Sequence, residues 1–119
     1  MYSYSMPSAS KAWLDQLMAV GATIVPPSAA DRPALVISAR GGYGPEAPNH
    51  GLDHLVPRLE TALGHPQIGL GLDLSVITTD LTHARTVPQF AQFLPLHRAS
   101  LADSHEQASK LAETFQDAA

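Results

Sequence analysis

The chain has 119 residues, 45% of them hydrophobic and 15% charged, and its eleven acids against seven bases leave a formal charge of −4. That length suits one domain spanning 1–119, and the lack of a Lys/Arg cluster argues against nucleic acid as a partner. Without cysteine there is no disulfide, thiol nucleophile or thiolate metal site. No apolar run approaches about 18 residues and no basic-then-apolar leader is present, so neither a membrane span nor export is expected and a cytoplasmic location is the default.

Residues 1–7, MYSYSMP, read as a loop. Ser8 is a candidate N-cap for the helical run SKAWLDQLMAVG. Trp13, Leu14, Leu17 and Met18, with Val20 behind them, recur at spacings of three and four and are expected in the core, Trp13 and Met18 included. Lys11, Asp15 and Gln16 face outward, and Gly21 suits the C′ position that ends such a helix. From Val25-Pro26-Pro27 to Arg32-Pro33 two proline clusters impose a loop.

Ala34–Ser38 is a short apolar run with a β-branched bias, the mark of a strand buried on both faces as in a parallel sheet. It runs into Ala39-Arg40-Gly41-Gly42, where the diglycine frees the backbone for φ > 0 or for close approach of a flat ligand. In open α/β sheets ligands bind beyond the carboxyl ends of the strands, which places a binding loop here. The loop continues from Tyr43 to Gly51, long enough to suggest function. Leu52 to Leu63 shows a helical apolar face, stopped by Gly64 and His65-Pro66. Leu70 to Thr79 reads as a second strand. Beyond Asp80, Val87-Pro88 and Leu94-Pro95 punctuate the chain, and a last helix is expected to begin at a cap on Ser100 or Asp103, with Ala108, Leu111, Ala112 and Phe115 facing inward.

This alternation of helices and strands argues for an α/β fold with a parallel sheet. Two strands under three helices leave open sheet edges and an undersized core. The pattern reads as the second half of a doubly wound domain, a fragment that holds its last two strands and three helices. His50 and His54 stand at i, i+4, a spacing able to grip a metal, but no third ligand accompanies them and the pair reads as incidental. His65, His83, His97 and His105 are scattered and read as surface or capping residues. Arg40 reads either as a functional loop cation or as a solvated or ion-paired one.

Three motifs then match a known family. MYSYSMPSASKAWLD resembles the loop and helix MYNFSIPSxLKAWID of the FMN-dependent NADH:quinone oxidoreductases, also called azoreductases. VISARGG is similar to that family's second flavin loop, a strand ending in Ser-Arg-Gly-Gly, and DHLVPRLETALG resembles its helix DxxEPYLxxxLG. The resemblance covers roughly residues 1–80 in the family's order. It implies a flavodoxin-like fold whose first three strands and phosphate-binding loop lie before Met1.

By resemblance, Met1, Tyr2, Ser3 and Tyr4 run along the edge and face of the FMN ring, and Ala39, Arg40, Gly41 and Gly42 lie beside its pyrimidine end. Tyr4 and Tyr43 would wall a flat substrate, and Arg40 would answer negative charge on the reduced ring. The family passes two electrons from NAD(P)H to a quinone or azo compound and works as a homodimer; the flavin carries the hydride chemistry and no catalytic side chain is implied. Departures include Ser3 for Asn, Tyr4 for Phe, Ala39 for Ser, and Leu55-Val56 for a polar-acidic pair. The alternative is a non-catalytic truncated module that partners another chain and binds flavin weakly or not at all. A third reading is an unrelated small α/β domain that has reused these loops.

Overall fold

Helix α1 spans Ser8–Leu17, strand β1 Pro33–Ala39, helix α2 Leu55–Leu59, strand β2 Asp73–Thr79 and helix α3 Leu94–Ala118. These elements come from a computed structural model that describes residues 4–18 and 27–118. Val20, Gly21, Val25 and Pro26 lie outside the described residues. β1 pairs with β2 in a two-stranded parallel sheet. The ladder is bracketed by Asp73 N–H to the Arg32 carbonyl at 3.0 Å and Arg40 N–H to the Thr79 carbonyl at 2.8 Å, so residue numbers rise together along both strands, as parallel pairing requires.

The described chain divides into two units, both strands running through the two. The first comprises Met1–Val36 and His54–Ser75. Its core is Leu14, Leu63 and Leu70, with Met6, Met18, Val36, Leu59, Ala62, Leu72 and Leu74 packed on them. Burying each of the three leucines stabilises by about 1.5–3 kcal/mol, and the partly covered neighbours add less. The expected helix cap moves by one residue. Pro7, at φ −59° and ψ 153°, already has the non-helical backbone an N-cap needs, so Ser8 is the first helical residue and caps nothing. Leu14 and Met18 point inward, whereas Trp13 is 57% exposed, against the expectation of a core tryptophan. One position along a helix is a turn of about 100°, enough to put neighbours of one apolar stripe on opposite sides of the burial line.

The expected helix from Leu52 starts three residues late. Leu52 is exposed, His54 is the N-cap, and α2 continues as a single π-helical turn over Glu60–Gly64. The second strand also begins later than Leu70. Residues 69–72 bond instead to the end of that turn: Gly69 N–H to the His65 carbonyl, Leu70 N–H to Ala62 and Leu72 N–H to Leu63, at 2.9–3.0 Å. Gly69 is required there, because a Cβ would stand 2.3 Å from the Thr61 carbonyl oxygen and 2.7 Å from that of Ala62.

The second unit comprises Ile37–Asp53 and Val76–Ala119. Ile77, Leu81, Ala84 and Ala47 are its buried apolar residues, beside buried Ser38, His97 and Ser104. Helix α3 begins at Leu94 rather than at a cap on Ser100 or Asp103. Pro95 stands in its first turn, where the missing N–H has no intrahelical partner to lose. Ala108, Leu111 and Phe115 are half-buried, and Ala112 is exposed. His97 is 3% exposed and therefore not the surface or capping residue expected.

Nor is β1 buried on both faces. Ala34, Val36 and Ser38 lie on its covered side, while Leu35 and Ile37 are 37% and 67% exposed. Alternate residues of a strand face opposite ways, and no described element lies over the second face.

Candidate functional site

The turn after β1 lies in the second unit, where it is tied to the segment after β2. Thr82 N–H donates to the Arg40 carbonyl at 3.1 Å, His83 N–H to the Gly41 carbonyl at 3.1 Å and Leu81 N–H to the Tyr43 carbonyl at 3.2 Å. On its far side Asn49 N–H donates to the Gly42 carbonyl at 3.1 Å, and His50 Nδ1 lies 3.1 Å from the Gly44 carbonyl oxygen. The carbonyls of the turn are thus answered one by one. The N–H groups of Gly41 and Gly42 donate to no acceptor among the described residues.

Arg40 is held between two carboxylates. Its Nη1 is 2.6 Å from Asp53 Oδ2, and its Nε and Nη2 are 2.7 and 2.6 Å from Asp80 Oδ1. All three side chains are 12–15% exposed. Burial acts against the guanidinium's charge, but the hydrogen bonds and charges of Asp53 and Asp80 outweigh it and raise the pKa above its ordinary value. The ion-pair reading of Arg40 is the one observed: its charge is already answered twice over.

Helix α3 fixes Asp80 in turn. Ser100 Oγ accepts from Asp80 N–H at 2.9 Å, and His97 Nδ1 donates to the Asp80 carbonyl at 2.8 Å. A carbonyl only accepts, so Nδ1 carries a proton; Nε2 is buried with no partner among the described residues. Ser104 Oγ lies 3.0 Å from the Thr78 carbonyl and 2.8 Å from that of Ser100, and it accepts from Thr79 Oγ1 at 2.8 Å. An open cavity of about 360 Å³ borders this helix, lined by Glu46, Asp80, Leu81, Leu96, Ser100 and Asp103 among others.

The diglycine is explained by neighbours within the chain. Neither Gly41 nor Gly42 takes a positive φ. A Cβ on Gly41 would stand 2.2 Å from His83 Nε2, and one on Gly42 2.9 Å from Asn49 Nδ2 and 3.2 Å from Phe90. His83 and Phe90 meet edge to face with centroids 5.5 Å apart.

Of the residues expected at the site, Ala39, Arg40, Gly41, Gly42 and Tyr43 are consecutive here. Tyr4 belongs to the first unit, where the residue is 51% exposed, its φ is +64° and its carbonyl accepts from His54 N–H at 3.0 Å. Met1, Tyr2 and Ser3 lie outside the described residues. Among the described residues no three His, Asp or Glu side chains gather as a metal site. Asp53, Asp80 and Phe90 escaped the sequence reading, which took His83 and His97 only as surface or capping residues. A carboxylate directly after a strand was a usable signal for Asp80; the others carry none.

A family model described as a flavodoxin-like fold matches residues 1–70. The chain belongs to the flavodoxin-like family. Curated relatives narrow its neighbourhood within that family. The chain is 38% identical over 110 residues to an FMN-dependent NADH:quinone oxidoreductase of Streptomyces coelicolor, covering 91% of this chain and 49% of the relative. It is 37% identical over 118 residues to one of Kineococcus radiotolerans, covering 97% and 55%. With FMN-dependent NAD(P)H:quinone oxidoreductase 1 of Pseudomonas aeruginosa the identity is 37% over 76 residues, or 54% of this chain and 36% of the relative. The chain spans about half the length of the Streptomyces and Kineococcus relatives.

Proposed function

We propose that this flavodoxin-like chain supplies the ring-binding part of an FMN-dependent oxidoreductase that moves two electrons from NAD(P)H to quinones or azo compounds. The observation that carries the reading is the pair of N–H groups at Gly41 and Gly42 that meet no acceptor among the described residues, with Gly42 itself buried. Two adjacent donors in a turn whose carbonyls are occupied suit the carbonyl-bearing edge of a flat heteroaromatic ring. The residues of the turn therefore fit FMN.

In this reading the backbone of Ala39–Gly42 grips the ring, with Met1, Tyr2, Ser3 and Tyr4 along its edge. Tyr4 and Tyr43 supply apolar walls for a flat acceptor. Arg40 acts as a positioning residue that clamps the turn to Asp53 and Asp80. Bound FMN supplies the two-electron chemistry, so the chain's own task is to bind, orient and exclude water. The chain then works in the cytoplasm as part of a homodimer. No described helix is long and apolar enough to cross a membrane.

Titrating the 119-residue chain into FMN, with fluorescence quenching for affinity and gel filtration for mass, tests this. Saturable quenching by a defined dimer supports the reading. Absence of quenching by a folded chain would leave the non-catalytic partner module.

A further inference from the structure

We infer that His83 is the side chain a flat ligand meets at the Arg40–Tyr43 turn, and that its imidazole donates a hydrogen bond to a carbonyl oxygen on that ligand's ring edge. This rests on the flavin reading above. The glycine at position 41 opens a gap, and the gap is filled from within the chain: His83 Nε2 lies 2.2 Å from where a Gly41 Cβ would stand. A ring approaching the turn on that side reaches the imidazole before it reaches bare backbone.

The imidazole is held and yet unspent. The main chain of His83 is pinned by its N–H bond to the Gly41 carbonyl, and the ring stands edge-on to Phe90 at an interplanar angle of 67°. Its side chain is exposed, and neither ring nitrogen bonds to any described residue. A neutral imidazole always offers one N–H donor. Arg40, whose guanidinium is the other side-chain donor here, is engaged by Asp53 and Asp80 through Nε, Nη1 and Nη2. His83, reaching over from the segment after β2, adds a side-chain donor beside the turn's own Gly41 and Gly42 N–H groups, and such a set suits a planar heteroaromatic ring carrying carbonyl acceptors.

The test uses FMN as the probe on the full chain. It measures affinity by fluorescence quenching and follows the imidazole nitrogens by NMR in the wild type, His83→Phe, His83→Gln and, as a control, His105→Gln on the exposed side of α3. The His83 nitrogen resonances should move on saturation. His83→Phe should weaken binding about tenfold, His83→Gln should stay within about threefold, and the control should match the wild type. Unmoved His83 resonances, or a His83→Phe chain that binds like the wild type, would overturn the assignment while leaving the flavin reading intact. A wild-type chain that never quenches FMN overturns both.

Discussion

Asp80 grips Arg40 twice with one oxygen: Oδ1 lies 2.7 Å from Nε and 2.6 Å from Nη2, while Asp53 takes Nη1. Removing the cation leaves two nearly buried carboxylates facing each other. Arg40→Met should therefore destabilise the chain by about 3 kcal/mol, read as a lower urea midpoint. Arg40→Lys should recover only part of this, since an ammonium cannot fork between two carboxylates. An Arg40→Met chain as stable as the wild type would remove the clamp from the account of the turn.

His97 joins the same clamp from behind. His97→Ala should cost about 2–3 kcal/mol, because it opens a cavity and strips the Asp80 carbonyl of its donor. His97→Asn retains a side-chain N–H near the place of Nδ1 and removes the buried Nε2. It should be the more stable of the two variants in chemical denaturation; the reverse order would show that volume, not the hydrogen bond, matters there.

Two glycines separate side-chain from backbone crowding. Gly41→Ala meets the end of a side chain and should cost only about 1 kcal/mol, the worth of the displaced His83–Phe90 contact. In a His83→Ala background the cost should vanish, a coupling that a double-mutant cycle reads directly. Gly69→Ala instead meets main-chain oxygens of Thr61 and Ala62, which cannot swing aside, and should cost about 3 kcal/mol or more.

Helix α3 carries an exposed pair, Glu106 and Lys110, at 2.6 Å. The hydrogen bond and charge of Lys110 lower the Glu106 pKa below its usual 4.5, and those of Glu106 raise Lys110 above 10.5. A lowered carboxylate pKa contributes stability above its unfolded value and loses it as pH falls through the folded value. A raised lysine pKa contributes below its unfolded value and loses it as pH rises through the folded one. The pair therefore supports the helix in the window between them. Circular dichroism should show Glu106→Gln less helical than the wild type at neutral pH, with the difference gone at about pH 2. A difference that persists in acid would exclude the ion pair as its cause.

Much of this was legible in the residues. The run Ala34–Ser38 with its diglycine marked a strand and turn because β-branched bias and glycine are local signals. The start of α3 was not, because Pro95 reads as a breaker until one sees it in the first turn. Trp13 and Leu14 belong to one apolar stripe, and only the packed partner decides which is covered. Nothing local announces the Arg40 clamp, whose partners stand 13 and 40 residues away. A lone histidine such as His97, in the first turn of a polar helix, has no period to betray its burial.

The inner face of α3 near β2 is polar: His97, Ser100 and Ser104 meet the main chain and side chains of residues 78–80. An oily helix can slide on its bed by fractions of a turn and lose little. This one cannot, because a slip of one turn, about 5.4 Å, breaks every one of those bonds at once. The helix is seated like a key whose teeth match one lock position. The carboxyl end of β2, and the clamp built on it, thus has one alignment, which fails whole rather than by drift.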